Sequence, residues 1–138
     1  MSFSRIDRLL IATRNAGKIR ELEHLLSGSG IGVVPLSEHP EVPEVEEDAD
    51  SFLGNAVKKA AAAAAASGIP SLADDSGLEV EALGGRPGVH SARFSGPGAT
   101  DAANNRKLLA ELENVPEGKR GARFRCVVAL CLPSGECV

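Results

Sequence analysis

Basic residues are too few and too scattered to form a stripe: 15 Lys and Arg stand against 19 Asp and Glu, a formal charge of -4. A phosphate backbone demands such a stripe, so a nucleic-acid polymer is not the expected partner. A small anion needs only a local cationic pocket and stays open. No apolar window approaches a membrane span, and the N-terminal "MSFSRIDRLLIA" has neither a sustained apolar region nor a cleavage pattern. The expectation is a cytoplasmic protein with no membrane partner. Cysteine is sparse. Cys126, Cys131 and Cys137 are odd in number and form no paired framework, which predicts reduced thiols. No C-x-x-C spacing occurs, so zinc is not expected, and Cys126 and Cys131 read as core positions of an apolar strand.

What is present suits one globular domain. A chain of 138 residues, 43% hydrophobic and 25% charged, can bury a core without staples. Leu9 to Ala12 is a short apolar run that reads as a buried strand. Asn15 can cap a helix with Ile19, Leu22, Leu25 and Leu26 on one face, ended by "SGSG" at Ser27 to Gly30. Ile31 to Leu36 gives a second strand, so the chain opens β-α-β with parallel pairing expected. Ser37 to Asp50 is acidic and proline-broken, hence a loop. Asp50 or Ser51 can cap a helix reaching Gly68, whose seven alanines, Ala60 to Ala66, let it lie close to a sheet. "GGRPGVHSARFSG" reads as a glycine-rich loop, and Thr100 or Asp101 caps a helix carrying Leu108, Leu109 and Leu112. "ARFRCVVALCL" alternates strictly, with Phe124, Cys126, Val128, Leu130 and Leu132 on one face of a strand.

Three segments carry chemistry. In "ATRNAGKIREL", a strand feeds a helix N-terminus, where free N–H groups and the helix dipole favour an anion. Thr13 and Asn15 offer hydrogen bonds, Gly17 a close backbone approach and Lys18 a charge. The spacing is not the Walker pattern, and a capped helix with a surface lysine explains the segment equally well. The second segment is the acidic loop with Glu46 and Glu47. The third is "PSLADDSGLEVEALGG", where Asp74, Asp75, Ser76 and Gly77 interrupt strand-like alternation. These residues suit a tight turn; adjacent carboxylates also suit a bound cation, whose charge offsets their repulsion. Magnesium takes a few carboxylate oxygens and bridges to phosphates, so an anion cradle with two acidic sites points to phosphate ester or anhydride chemistry.

Together "ATRNAGKIREL", "FLGNAVKKA" and "ADDSGLEVEALGGRPGVHSARFSG" resemble, in order and spacing, the signature segments of the inosine triphosphate pyrophosphatase family. The resemblance runs from about Leu9 to the chain end. It implies an α/β fold with an elongated mixed β-sheet flanked by helices, usually a homodimer, and Mg²⁺-dependent hydrolysis of purine nucleoside triphosphates such as ITP, dITP and XTP to monophosphate and pyrophosphate. It places the triphosphate on Thr13, Arg14, Asn15, Ala16, Gly17 and Lys18, with Lys59 assisting and Ser76 contacting substrate. Glu46 or Glu47 joins Asp75 at the metal, and Asp75 corresponds to the proton acceptor.

The family pattern continues beyond Val138 with a glycine-rich aromatic segment, a lysine and a Ser-His-Arg motif of the purine pocket. The expectation is therefore a single pyrophosphatase domain, residues 1–138, with its second lobe incomplete and an open edge beside Arg123 to Leu132. A fragment that captures triphosphate without turnover is the alternative. An aspartyl-phosphate phosphatase fits less well, because Asp74 and Asp75 lack a D-x-D arrangement. His90, in "PGVHSARF", reads as a structural loop residue.

Overall fold

The computed structural model describes residues 6–138. The start of the segment read above for a leader, residues 1–5, lies outside the described residues. The strands β1 (Arg8–Ile11), β2 (Gly32–Pro35), β3 (Ser71–Val80) and β4 (Ala122–Cys131) lie in the order β2-β1-β3-β4. β1 pairs parallel with β2, Leu10 opposite Val34, and parallel with β3, Leu10 opposite Ser71. Between them run the helices α1 (Ala16–Leu26), α2 (Phe52–Ser67) and α3 (Asp101–Glu111). Contacts divide the chain into two compact units, Met1–Asp74 with Val128–Val138, and Asp75–Val127.

The first unit follows its apolar pattern. Leu10, Val34, Val42, Ala63 and Ile69 form one buried cluster, with Ala12 and Leu36 packed against it. Of the alanine run, Ala60, Ala63 and Ala64 are fully buried, which is what small side chains on a closely packed helix provide. Ser51 caps α2, its Oγ accepting from the Gly54 N–H, and Gly68 ends the helix at φ 72°, a left-handed conformation suited to glycine. On α1, Ile19, Leu22 and Leu26 are half-buried, whereas Leu25, expected on the same face, is 75% exposed.

The tail of this unit corrects the thiol expectation. Leu130 and Val138 exchange both backbone hydrogen bonds, and the Leu132 N–H donates to the Glu136 carbonyl at 2.7 Å. That hairpin sets Cys131 directly opposite Cys137, Cα atoms 4.1 Å apart, and the two are joined by a disulfide. In a non-hydrogen-bonded antiparallel pair the side chains come closest, so two residues that look unrelated in sequence are brought together by the turn at Gly135. The same pairing covers the β4 edge expected to be open, at Leu130 and Leu132.

In the second unit Thr100 caps α3, accepting from the Ala103 N–H, and Leu112 is buried while Leu109 is exposed. Here the end of β3 meets the start of β4: the Glu81 N–H donates to the Gly121 carbonyl at 3.0 Å, and Arg123 reaches Glu79 at 2.7 Å. This is antiparallel pairing, so the sheet is mixed. The predicted face of β4 is reversed: Phe124, Cys126 and Val128 are exposed, and Ala129 and Cys131 are buried. Residues 122–126 are exposed on both faces, and Arg123 and Arg125 both pair with Glu79 of the neighbouring strand. The Arg123 hydrogen bond holds the Glu79 carboxyl below its usual range, with Arg125 adding to it. Cys126 is therefore not a core residue.

Candidate active site

β1 delivers the chain to the start of α1, and the Ala12 N–H is still held by the Leu72 carbonyl of β3 at 2.8 Å. Beyond it the segment closes on itself. The Asn15 N–H donates to Thr13 Oγ1 at 3.1 Å, and Asn15 Oδ1 accepts from the N–H groups of Gly17 and Lys18 at 2.9 and 3.3 Å. Gly17 eases this cap, because a Cβ there would stand 3.2 Å from Asn15 Oδ1, a tight contact. Two of the N–H groups expected to face an anion are thus satisfied by the asparagine. Arg14 and Ala16 are exposed. The group that reaches outward is Lys18, whose Nζ lies 2.6 Å from Asp74 Oδ2 on β3.

The acidic loop is tied to α2 by three side chains. Lys59 Nζ lies 2.8 Å from Glu47 Oε1, and Lys58 pairs with Asp48. Asn55, fully buried, accepts the Ala49 N–H at 2.9 Å on its Oδ1. Gly54 lets this happen, since a Cβ at that position would meet Ala49 Cβ at 2.8 Å. Glu47 is half-buried and paired with Lys59, whereas Glu46 is exposed. The geometry therefore separates the two glutamates that sequence spacing leaves equivalent. Asn55 and Gly54 were quoted in "FLGNAVKKA" without a role; an asparagine inside an alanine-rich helix is the signal that could have found one.

Asp74, Asp75 and Ser76 do not form a turn. β3 runs unbroken from Ser71 to Val80, with buried and half-buried residues alternating from Ser71 to Leu78. Asp75 shares the buried parity with Ser71 and Ala73 and is 8% exposed; Asp74 and Ser76 share the other. The two carboxylates point to opposite faces of the strand, so their repulsion is reduced without a turn. Among the described residues, no three His, Cys, Asp or Glu side chains converge to hold a metal ion. Hard carboxylate oxygens in small number suit Mg²⁺, which takes one or two from protein and the remainder from water and substrate phosphates.

The structure thus brings together Thr13, Asn15, Gly17, Lys18 and Asp74 at one place, and Glu47 with Lys59 at another. Known proteins resemble this chain over most of its length. The Ham1 family pattern matches residues 9–138. A dITP/XTP pyrophosphatase of Geobacter sulfurreducens is 56% identical over 129 residues, 94% of this chain and 65% of the relative. One of Desulforamulus reducens is 56% identical, over 94% of this chain and 64% of its own length. The chain therefore spans just under two thirds of these curated relatives. Among solved structures, a dITP/XTP pyrophosphatase of Mycobacterium abscessus superposes with a TM-score of 0.85 at 46% identity, covering 95% of this chain and 69% of that one. A HAM1 protein of Coxiella burnetii gives 0.84 at 42% identity, over 89% and 62%. With its signature segments, its mixed sheet and a family match over nearly its whole length, the chain belongs to the Ham1 family.

Proposed function

We propose that residues 1–138 form a nucleoside triphosphate pyrophosphatase domain that hydrolyses ITP, dITP and XTP to the monophosphate and pyrophosphate, in the cytoplasm and as a homodimer. The observation that carries this reading is a pair of lysine–carboxylate contacts, Lys18 with Asp74 at 2.6 Å and Lys59 with Glu47 at 2.8 Å. Each lysine assigned to the triphosphate neutralises a neighbouring carboxylate. Partly exposed pairs of this kind are worth about 0–1 kcal/mol, so exchanging partners costs little. The triphosphate takes Lys18 and Lys59, and Glu47, once released, faces cationic charge instead.

Glu47, the better placed of the two loop glutamates, and Asp75 would hold Mg²⁺; Glu46 stays in solvent. Bound there, Mg²⁺ supplies Lewis-acid charge against the α and β phosphates. Asp75 accepts a proton from water. The water oxygen bonds to the α phosphorus, the bond from that phosphorus to the bridging oxygen breaks, and pyrophosphate leaves. Ser76, on the next position of β3, contacts the substrate. Capture of the triphosphate without turnover is the second reading, since the Lys18 and Lys59 contacts bear on binding and not on the chemical step.

The partner exchange is tested by calorimetric titration with a non-hydrolysable dITP analogue and Mg²⁺. Lys18→Ala should weaken binding by about tenfold to a hundredfold, the value of a charge-assisted hydrogen bond to phosphate. Asp74→Asn, titrated without Mg²⁺, should bind at least as tightly as the parent because Lys18 is freed. Unchanged affinity in Lys18→Ala would remove the lysine from the site.

A further inference from the structure

Lined by none of the residues assigned to the triphosphate, a cavity of about 280 Å³ in the Asp75–Val127 unit is walled by Arg86, Pro87, His90, Arg93, Phe94 and Lys107. Apart from Pro87 and Phe94, every lining residue is a nitrogen base, and none is acidic. Phe94 is buried at 7% exposure and organises the wall. Lys107 Nζ stands 4.4 Å from the ring centroid and donates to the Phe94 carbonyl at 2.8 Å; the Arg86 guanidinium carbon stands 5.5 Å from the same ring. Both cations gain from the ring face, which holds them near one another despite their repulsion.

The remaining members are also fixed. Arg93 donates to His90 Nδ1 at 3.3 Å, which leaves the other ring nitrogen of His90 to carry the proton in the neutral ring. Asn104 of α3 accepts the Ser95 N–H at 2.8 Å and donates to the carbonyls of Ser91 and Ala92, so the segment bearing His90 and Arg93 is pinned to the helix bearing Lys107. Glu111 touches Arg86 at 3.3 Å from outside the lining. A cavity with preset guanidinium and ammonium donors matches the oxygens of a phosphate group. Its volume falls just below the range of about 300–1,000 Å³ usual for drug-sized ligands, so it suits a compact anion better than a whole nucleotide.

We propose that this cavity is a phosphate-oxyanion site, separate from the triphosphate segment, that takes inorganic phosphate or pyrophosphate. His90 gives a local readout, because the chain has only 3 histidines. Proton NMR of the ring resonances at fixed pH and ionic strength, with inorganic phosphate and pyrophosphate titrated in separate arms, should move His90 saturably and leave His24 and His39 in place. Saturation in either arm supports the site and identifies which anion it takes; saturation in neither overturns it. Arg93→Gln combined with Lys107→Gln should raise the half-saturating concentration at least about tenfold. The charge-keeping Arg93→Lys should still saturate, which separates loss of the site from loss of the fold. Lys18→Ala should leave the His90 titration unchanged, so failure at the triphosphate segment reads out independently. His90 moving in step with His24 and His39, or an unaltered titration in the double variant, would overturn the proposal.

Discussion

Asp75→Asn lowers the rate of pyrophosphate release from dITP by about 10²–10⁴-fold, the usual contribution of a positioned proton acceptor. Asparagine keeps the size and hydrogen-bonding reach of the side chain but cannot take a proton from water, and it is a poorer cation ligand. Asp75 sits at 8% exposure on the buried parity of β3, so its surroundings fix its position. The loss should fall on kcat at saturating substrate, with folding intact because the substitution is isosteric. Asp74→Asn, on the opposite face and paired with Lys18, should lose less. Equal rates for the parent and Asp75→Asn would remove the aspartate from the chemistry.

Leu10→Ala should destabilise the chain by about 2–5 kcal/mol, a large share of the roughly 5–15 kcal/mol that holds a typical domain. Leu10 is fully buried on β1, flanked by β2 and β3, and packs in the cluster with Val34, Val42, Ala63 and Ile69. Removing its branched side chain leaves a cavity between a helix and a sheet that cannot close without moving both. Urea unfolding with unchanged slope and a lowered midpoint would report it. Leu109→Ala, at a residue 62% exposed, serves as the comparison and should change stability by about 0.5 kcal/mol or less. A Leu10→Ala loss below about 1 kcal/mol would mean the core is centred elsewhere.

Local signals carried much of this fold. The cap at Asn15, the caps at Ser51 and Thr100, and the left-handed stop at Gly68 are properties of a few adjacent residues, and each stands where the sequence places it. The alanine run packs because small side chains recur at helical spacing, which is also readable. What could not be read depends on distant partners. Apolar alternation alone points to the wrong face of β4, and the pairing of Arg123 and Arg125 with Glu79, far away in sequence, leaves no local signal. The unbroken strand at Asp74 and Asp75 escapes a reading based on turn residues, because the Lys18 pairing across 56 positions gives Asp74 a partner in place. The Cys131–Cys137 disulfide needs the tail hairpin, and the pairing of Lys59 with Glu47 needs the folded loop. Residue types suggested phosphate chemistry; only the fold could say which charges meet.

The decisive assay incubates the parent chain with dITP, with and without Mg²⁺, and identifies the first phosphorus product. Pyrophosphate and dIMP should form in equal amounts, and only when Mg²⁺ is present. Orthophosphate as the first product, or saturable dITP binding with no pyrophosphate released, would contradict it.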